Sequence, residues 1–165
     1  MSTQLSAFKA QSRWQLDRPH ILVAACSDGR LQEAVDEFLN NHLGIFAYDR
    51  LYLPGGPGAL STSGVEYVRS DTQIKELKFL VEVHEIEEVV LLFHGPAEDG
   101  PNESICADYA RVLGQPERDK VGKAQADDLK ELLDFFKRHP QIKVHAYRCE
   151  VDKNHAVSFV NLLQT

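Results

Sequence analysis

With 165 residues, 43% of them apolar and 26% charged, the chain has apolar material for one substantial core and too little for two ordinary domains. A net charge of −7, with Lys and Arg scattered along the chain, excludes a nucleic-acid footprint and a polybasic membrane anchor, so the expected partners are small molecules and other protein chains. No stretch approaches the ~20 apolar residues of a membrane span, and the start, MSTQLSAFKAQSRW, lacks the apolar core of a signal peptide, so a cytoplasmic protein is expected.

Residues 1–165 read as one α/β domain, with 1–18 as an N-terminal helical arm whose amphipathic stretch from Phe8 to Leu16 is available for docking. His20 to Ala25 is an apolar run ending in Cys26-Ser27-Asp28-Gly29, the signature of a buried parallel strand meeting a loop. Leu31, Ala34, Val35, Phe38 and Leu39 then recur at helical spacing, predicting a helix over 30–42. A second strand is expected from Ile45 to Leu53, broken by Pro54-Gly55-Gly56-Pro57-Gly58. Asp71 is placed as the cap of a second helix, with a turn or earlier helix over 62–70. Val89 to Phe93 is another buried strand, ending at His94-Gly95-Pro96. An acidic loop over 97–102, a short helix over 103–113 and a clear one over 121–138, stopped before Pro140, follow. A strand from Ile142 to Tyr147 and a final helix from Asn154 to Leu163 close the pattern. Such alternation implies a three-layer fold, a mostly parallel sheet of four or five strands flanked by helices on both faces.

Parallel topology brings three polar strand exits to one sheet edge, where ligands bind in open α/β sheets: Cys26 to Arg30, Pro54 to Gly58, and His94 to Pro96. A thiolate and an imidazole from separate strands are natural zinc ligands. Gly29, Gly55, Gly56, Gly58 and Gly95 can expose backbone N–H groups that line an anion pocket. Taken singly, each feature has a plainer reading: Cys26 as a small buried residue, Asp28 as a helix cap paired with Arg30, His94 as a donor to a carbonyl, the Pro-Gly run as a tight loop. Cys26, Cys106 and Cys149 are odd in number and far apart, which argues against a disulfide framework. His145 and Cys149 receive no role, nor do the other histidines.

The order Cys26-x-Asp28-x-Arg30 at a first strand end, then His94 at a later one, resembles the β-class carbonic anhydrases, over roughly residues 20 to 100. It is most similar to a divergent branch in which a Cys-x-Asp-Gly-Arg segment precedes a Pro-Gly-rich loop, matched here by Gly56-Pro57-Gly58. The resemblance implies a parallel-sheet fold and a zinc held by Cys26, His94 and a second Cys. It also implies hydration of carbon dioxide to bicarbonate, or attack on a related heterocumulene such as carbonyl sulfide, by a zinc lyase that self-associates as a homodimer or larger oligomer. Asp28 would accept a hydrogen bond from the attacking water and Arg30 would hold Asp28 ionised. The family's second Cys, in the pattern His-x-x-Cys, falls on Ala97. Asp28 or Cys106 is then left to supply the third ligand. A degenerate member that binds an anion, a metabolite or a protein partner is the competing expectation, and Ala97 is its support.

Overall fold

The apolar runs pair into one sheet. In this computed structural model, which describes residues 7–61, 67–114 and 117–163, the strands are β1 (Ile21–Cys26), β2 (Asp49–Leu53), β3 (Glu88–Pro96), β4 (Lys143–Val151) and β5 (Val157–Asn161). They lie in the order β2-β1-β3-β4-β5, parallel except for β5, which runs antiparallel to β4. The helices are α1 (Gln32–Glu37), α2 (Tyr67–Val83), α3 (Ala107–Leu113) and α4 (Arg118–Phe136). A 3-10 turn over Gly29–Leu31 leads into α1, and a π-helical turn over Phe38–His42 prolongs it.

Successive strand residues face opposite sides, so each central strand feeds two cores. Leu22 and Ala24 of β1 join Val89, Leu91 and Phe93 of β3 against Leu77 of α2 and Leu132 of α4. Val23, Ala25, Val90 and Leu92 face Val35, Phe38 and Leu39 on the other side. Burial on both faces is why β1 and β3 read as unbroken apolar runs. The expected three-layer α/β architecture is present, and no described helix is long and apolar enough to cross a membrane.

Five features differ from expectation. The segment expected as a final helix is the strand β5: Asp152 Oδ1 accepts from the N–H groups of Asn154 (2.7 Å) and Ala156 (2.9 Å), and His155 takes a left-handed φ of 63°. That turn reverses the chain, and Phe159 then stacks on Phe38 with ring centroids 4.0 Å apart. Residues 7–20 carry no helix in place of the helical arm, and Phe8, Trp14 and Leu16 are all about nine-tenths exposed, so their amphipathic pattern finds no core to cover; residues 1–6 lie outside the described residues. β2 begins at Asp49 rather than Ile45, because Gly44 (φ 71°) closes the preceding helix and Ile45 N–H donates to Leu39 C=O at 2.8 Å. Asp71 lies inside α2 and pairs with Lys75 (2.6 Å) instead of capping it; of the turn expected over 62–70, residues 62–66 lie outside the described residues. The 103–113 helix is split into a 3-10 turn, Asn102–Ser104, and α3.

β1 has β2 on one side and β3 on the other, so the chain leaves these neighbours in opposite directions. The crevice this opens lies beyond the carboxyl ends of β1 and β3. Cys26 and His94 stand there.

Candidate metal centre

At the end of β1 the chain is held by Ser27 N–H donating to Leu53 C=O at 3.0 Å. Asp28 then caps the 3-10 turn, Oδ1 accepting from Arg30 N–H at 3.1 Å. The same carboxylate takes Arg30 Nε at 2.9 Å and Nη2 at 2.5 Å, a forked charge-assisted pair. The cap and the ion pair read from the sequence are thus both present. Hydrogen bonding from Arg30 brings Asp28 down to about 2, and Asp28 in turn raises Arg30. Arg30 Nη1 also donates to Glu103 C=O at 3.2 Å, tying the β1 exit to the loop after β3.

β3 runs to Pro96 because β4 pairs with it along its length, setting His94 opposite Cys149 and Pro96 opposite Val151. His94 is buried, and Gln125 Nε2 of α4 donates to its carbonyl at 2.8 Å. After Pro96, Ala97 N–H donates to Val151 C=O (2.9 Å) and Gly100 N–H to Ala97 C=O (3.0 Å), turning the loop back. Ser104 Oγ donates to Pro101 C=O at 2.7 Å, and the chain re-enters helix at Cys106, the residue before α3.

That path returns Cys106 to the strand ends. Its sulfur lies 3.9 Å from Cys26 Sγ, and the ligand atoms of Cys26, His94 and Cys106 are all within 4.8 Å of one another. Of the two candidates for third ligand, Cys106 joins the group and Asp28 is engaged by Arg30. The hydrogen bond from Cys106 takes the Cys26 thiol far below the ordinary cysteine range against the effect of burial, with His94 assisting; the same contact, with burial, drives Cys106 upward.

The donor set fits zinc. Two sulfurs at about 2.3 Å from a tetrahedral zinc stand about 3.8 Å apart, which the observed 3.9 Å matches. His94 Nε2 is a buried polar atom without a hydrogen-bond partner, a costly condition that coordination relieves. Cys26, His94 and Cys106 would hold the ion and leave a fourth position for water.

Two cavities flank this group. One, of about 190 Å³, is lined by Cys26, Ser27, Asp28, Gly29, Arg50 and Tyr52 among others. The other, of about 250 Å³, is lined by Asp28, Arg30 and His94 and walled by Leu31, Val151 and Val157. Of the five glycines considered for an anion pocket, Gly29 lines the first cavity, and the other four line neither. They serve close packing: a Cβ on Gly56 would lie 2.9 Å from Cys26 N, on Gly55 2.5 Å from the Asp108 carboxylate, on Gly58 2.0 Å from the Tyr109 hydroxyl, and on Gly95 2.7 Å from Arg148 Nη2.

Tyr52, Gln125 and Arg118 belong to these surroundings and were not singled out in the sequence. Tyr52 hydrogen-bonds Tyr48 at 3.2 Å, and Tyr48 donates to Asp36 at 3.0 Å. The even spacing of Tyr48, Arg50 and Tyr52 was the available signal, since extended chain puts such residues on one face. Gln125 acts on a backbone carbonyl and Arg118 chiefly on several, which leaves no mark on sequence spacing. His145, given no role, pairs with Glu88 at 2.8 Å, and Cys149 is buried.

No family model and no curated protein matches the chain. Among solved structures it is similar to the β-carbonic anhydrase CafA of Aspergillus fumigatus, at 18% identity and a TM-score of 0.46, covering 89% of this chain and 76% of that one. It is also similar to β-carbonic anhydrase isoform I of Trichomonas vaginalis, at 16% identity and a TM-score of 0.41, covering 93% and 88%.

Proposed function

We propose that the chain is a zinc-dependent lyase of a divergent β-carbonic-anhydrase-like branch, catalysing reversible hydration of carbon dioxide or of a related small heterocumulene. The observation that carries this reading is the convergence of Cys26, His94 and Cys106 within 4.8 Å, at the strand ends where Asp28 and Arg30 form their pair. Zinc bound there would supply an activated water at neutral pH by lowering its pKa from 15.7 to about 7. Asp28, kept ionised by Arg30, is an acceptor that would orient the nucleophile's proton away from the substrate. The apolar wall of Leu31, Val151 and Val157 suits an uncharged linear substrate, and Arg30 at its rim suits the anionic product. The expectation of a degenerate site rested on Ala97, and the placement of Cys106 beside Cys26 and His94 supports a second sulfur ligand in its stead. A cytoplasmic homodimer or larger oligomer is part of the proposal, its mass to be read by light scattering.

Protein purified without chelator is expected to carry about one zinc per chain and to hydrate carbon dioxide in stopped-flow assays across neutral pH. Cys106→Ser is expected to abolish turnover and to hold metal much more weakly, through Cys26 and His94 alone. A metal-free native preparation sinks the reading; zinc without turnover above buffer replaces it with an anion- or metabolite-binding role.

A further inference from the structure

Cys106 stands twelve positions after His94, and the length of so long a connection does not by itself fix where its far end arrives; besides the turn bonds of the loop and the Arg30 contact to Glu103 C=O, outside groups must hold it. The loop has little regular structure of its own, and several of its carbonyls converge on one side chain. Arg118, the first residue of α4, donates from Nη1 to Ala97 C=O at 3.2 Å and to Glu98 C=O, from Nη2 to Gly100 C=O, and from Nε to Asn102 Oδ1 at 3.5 Å. Every nitrogen of the guanidinium is therefore spent on residues 97–102. A planar fork of five N–H donors can meet acceptors pointing at it from several directions; an ammonium, a compact charge on a flexible stem, cannot hold that set in one geometry.

The same helix grips the other side of the site. Gln125 is seven residues beyond Arg118, two turns along the helix and on roughly the same face, and it donates to the carbonyl of His94. α4 thus holds the backbone of His94 at one point and the loop leading to Cys106 at another. The spacing between the two would-be ligands is set by a rigid element outside the loop, as a site built from distant residues requires.

Resting on the metal site proposed above, we infer that Arg118 is the positioning residue that makes Cys106 a ligand: its fork on the carbonyls of Ala97, Glu98 and Gly100 places the Cys106 thiolate beside Cys26 and His94. It touches neither metal nor substrate. Removing a group that hydrogen-bonds a metal ligand typically weakens metal binding by roughly 10- to 100-fold, and a contact that decides whether a ligand is in place is expected to fall in the same range.

The test uses cobalt(II) added to the full chain, read by competition with a chelator and by thiolate-to-cobalt charge-transfer absorption. The native chain is expected to show two thiolates. Arg118→Ala is expected to bind roughly 10- to 100-fold more weakly and lose charge-transfer intensity toward that of Cys106→Ser. In the Cys106→Ser background Arg118→Ala should cost little more, because the ligand it positions is already gone; general loosening of the fold would lower affinity equally in both backgrounds. Arg118→Lys, which keeps the charge and loses the fork, should resemble Arg118→Ala, and it decides the matter if Arg118→Ala fails to fold. Native affinity and a two-thiolate spectrum in Arg118→Lys, or equal losses in both backgrounds, overturn the inference while leaving the metal site intact. Absence of cobalt binding by the native chain overturns both.

Discussion

The three cysteines have the same side chain in three different situations, and their chemistry should separate accordingly. Cys26 is half-buried at a strand end with its thiol held low by Cys106 and His94. Cys106 is buried and pushed up by the proton it shares with Cys26. Cys149 lies in β4, where burial, with the neighbouring Glu150 carboxylate adding to it, raises it to about 12. Thiolate fraction and access control alkylation, so metal-free native protein at neutral pH is expected to take iodoacetamide first at Cys26. Cys149 should be spared until the chain is unfolded. Peptide mass spectrometry after a short pulse checks the order, and early labelling of Cys149 would contradict the packing of β4. At this scale the sequence was informative about Cys26, Asp28, Arg30 and His94, because each sits at or just after the end of an apolar run, where a side chain must leave the sheet. The approach of Cys106 to Cys26 and His94 was legible only as one of two alternatives. Residue spacing describes a path along the chain, whereas a ligand is chosen by where a loop ends in space.

Among the elements, the glycines of the first two strand exits perform different tasks. Gly56 has φ 58°, and an added Cβ would press on Cys26 N and on Leu92 C=O at 3.2 Å, both backbone atoms that cannot swing aside. Gly29 has nothing within 4 Å of the same position. Gly56→Ala is therefore expected to destabilise the fold by about 1–3 kcal/mol in urea melts, and Gly29→Ala to stay within about 0.5 kcal/mol. Equal effects would mean that the turn after β2 does not press against β1. The Pro54 to Gly58 segment announced a turn in the sequence, but not that it would serve as a spacer wedged against two strands. The last element shows a different limit. Val157 to Leu163 is apolar enough to satisfy either period, and its length is ordinary for a strand and marginal for a helix. What selects the strand is nonlocal: a free edge on β4 and the face of Phe38, the latter supplied by a residue more than a hundred positions earlier.

At the scale of the whole molecule, the groups whose protons the fold retains predict its alkaline limit. Tyr52 is raised by burial and by Tyr48, Tyr109 by burial and by Asp128, and Cys149 by burial. Each loses its proton more readily from the unfolded chain, near 9.0 for cysteine and 10.0 for tyrosine. Above about pH 9 the native state therefore binds more protons than the unfolded state, and stability falls as pH rises. Unfolding free energies from urea melts are expected to decline steadily from pH 9 to about 11, with a shallower decline in Tyr52→Phe. A flat profile over that range would show that these groups titrate alike in both states. The same long-range construction governs the order of assembly. Cys26 and Cys106 are 80 positions apart, so an unfolded chain does not present the members of this trio together. Any ion taken by this trio arrives after the sheet has formed and α4 has docked. Capture is then a late latch, closing only on chains that are already correctly threaded and passing over those that are not.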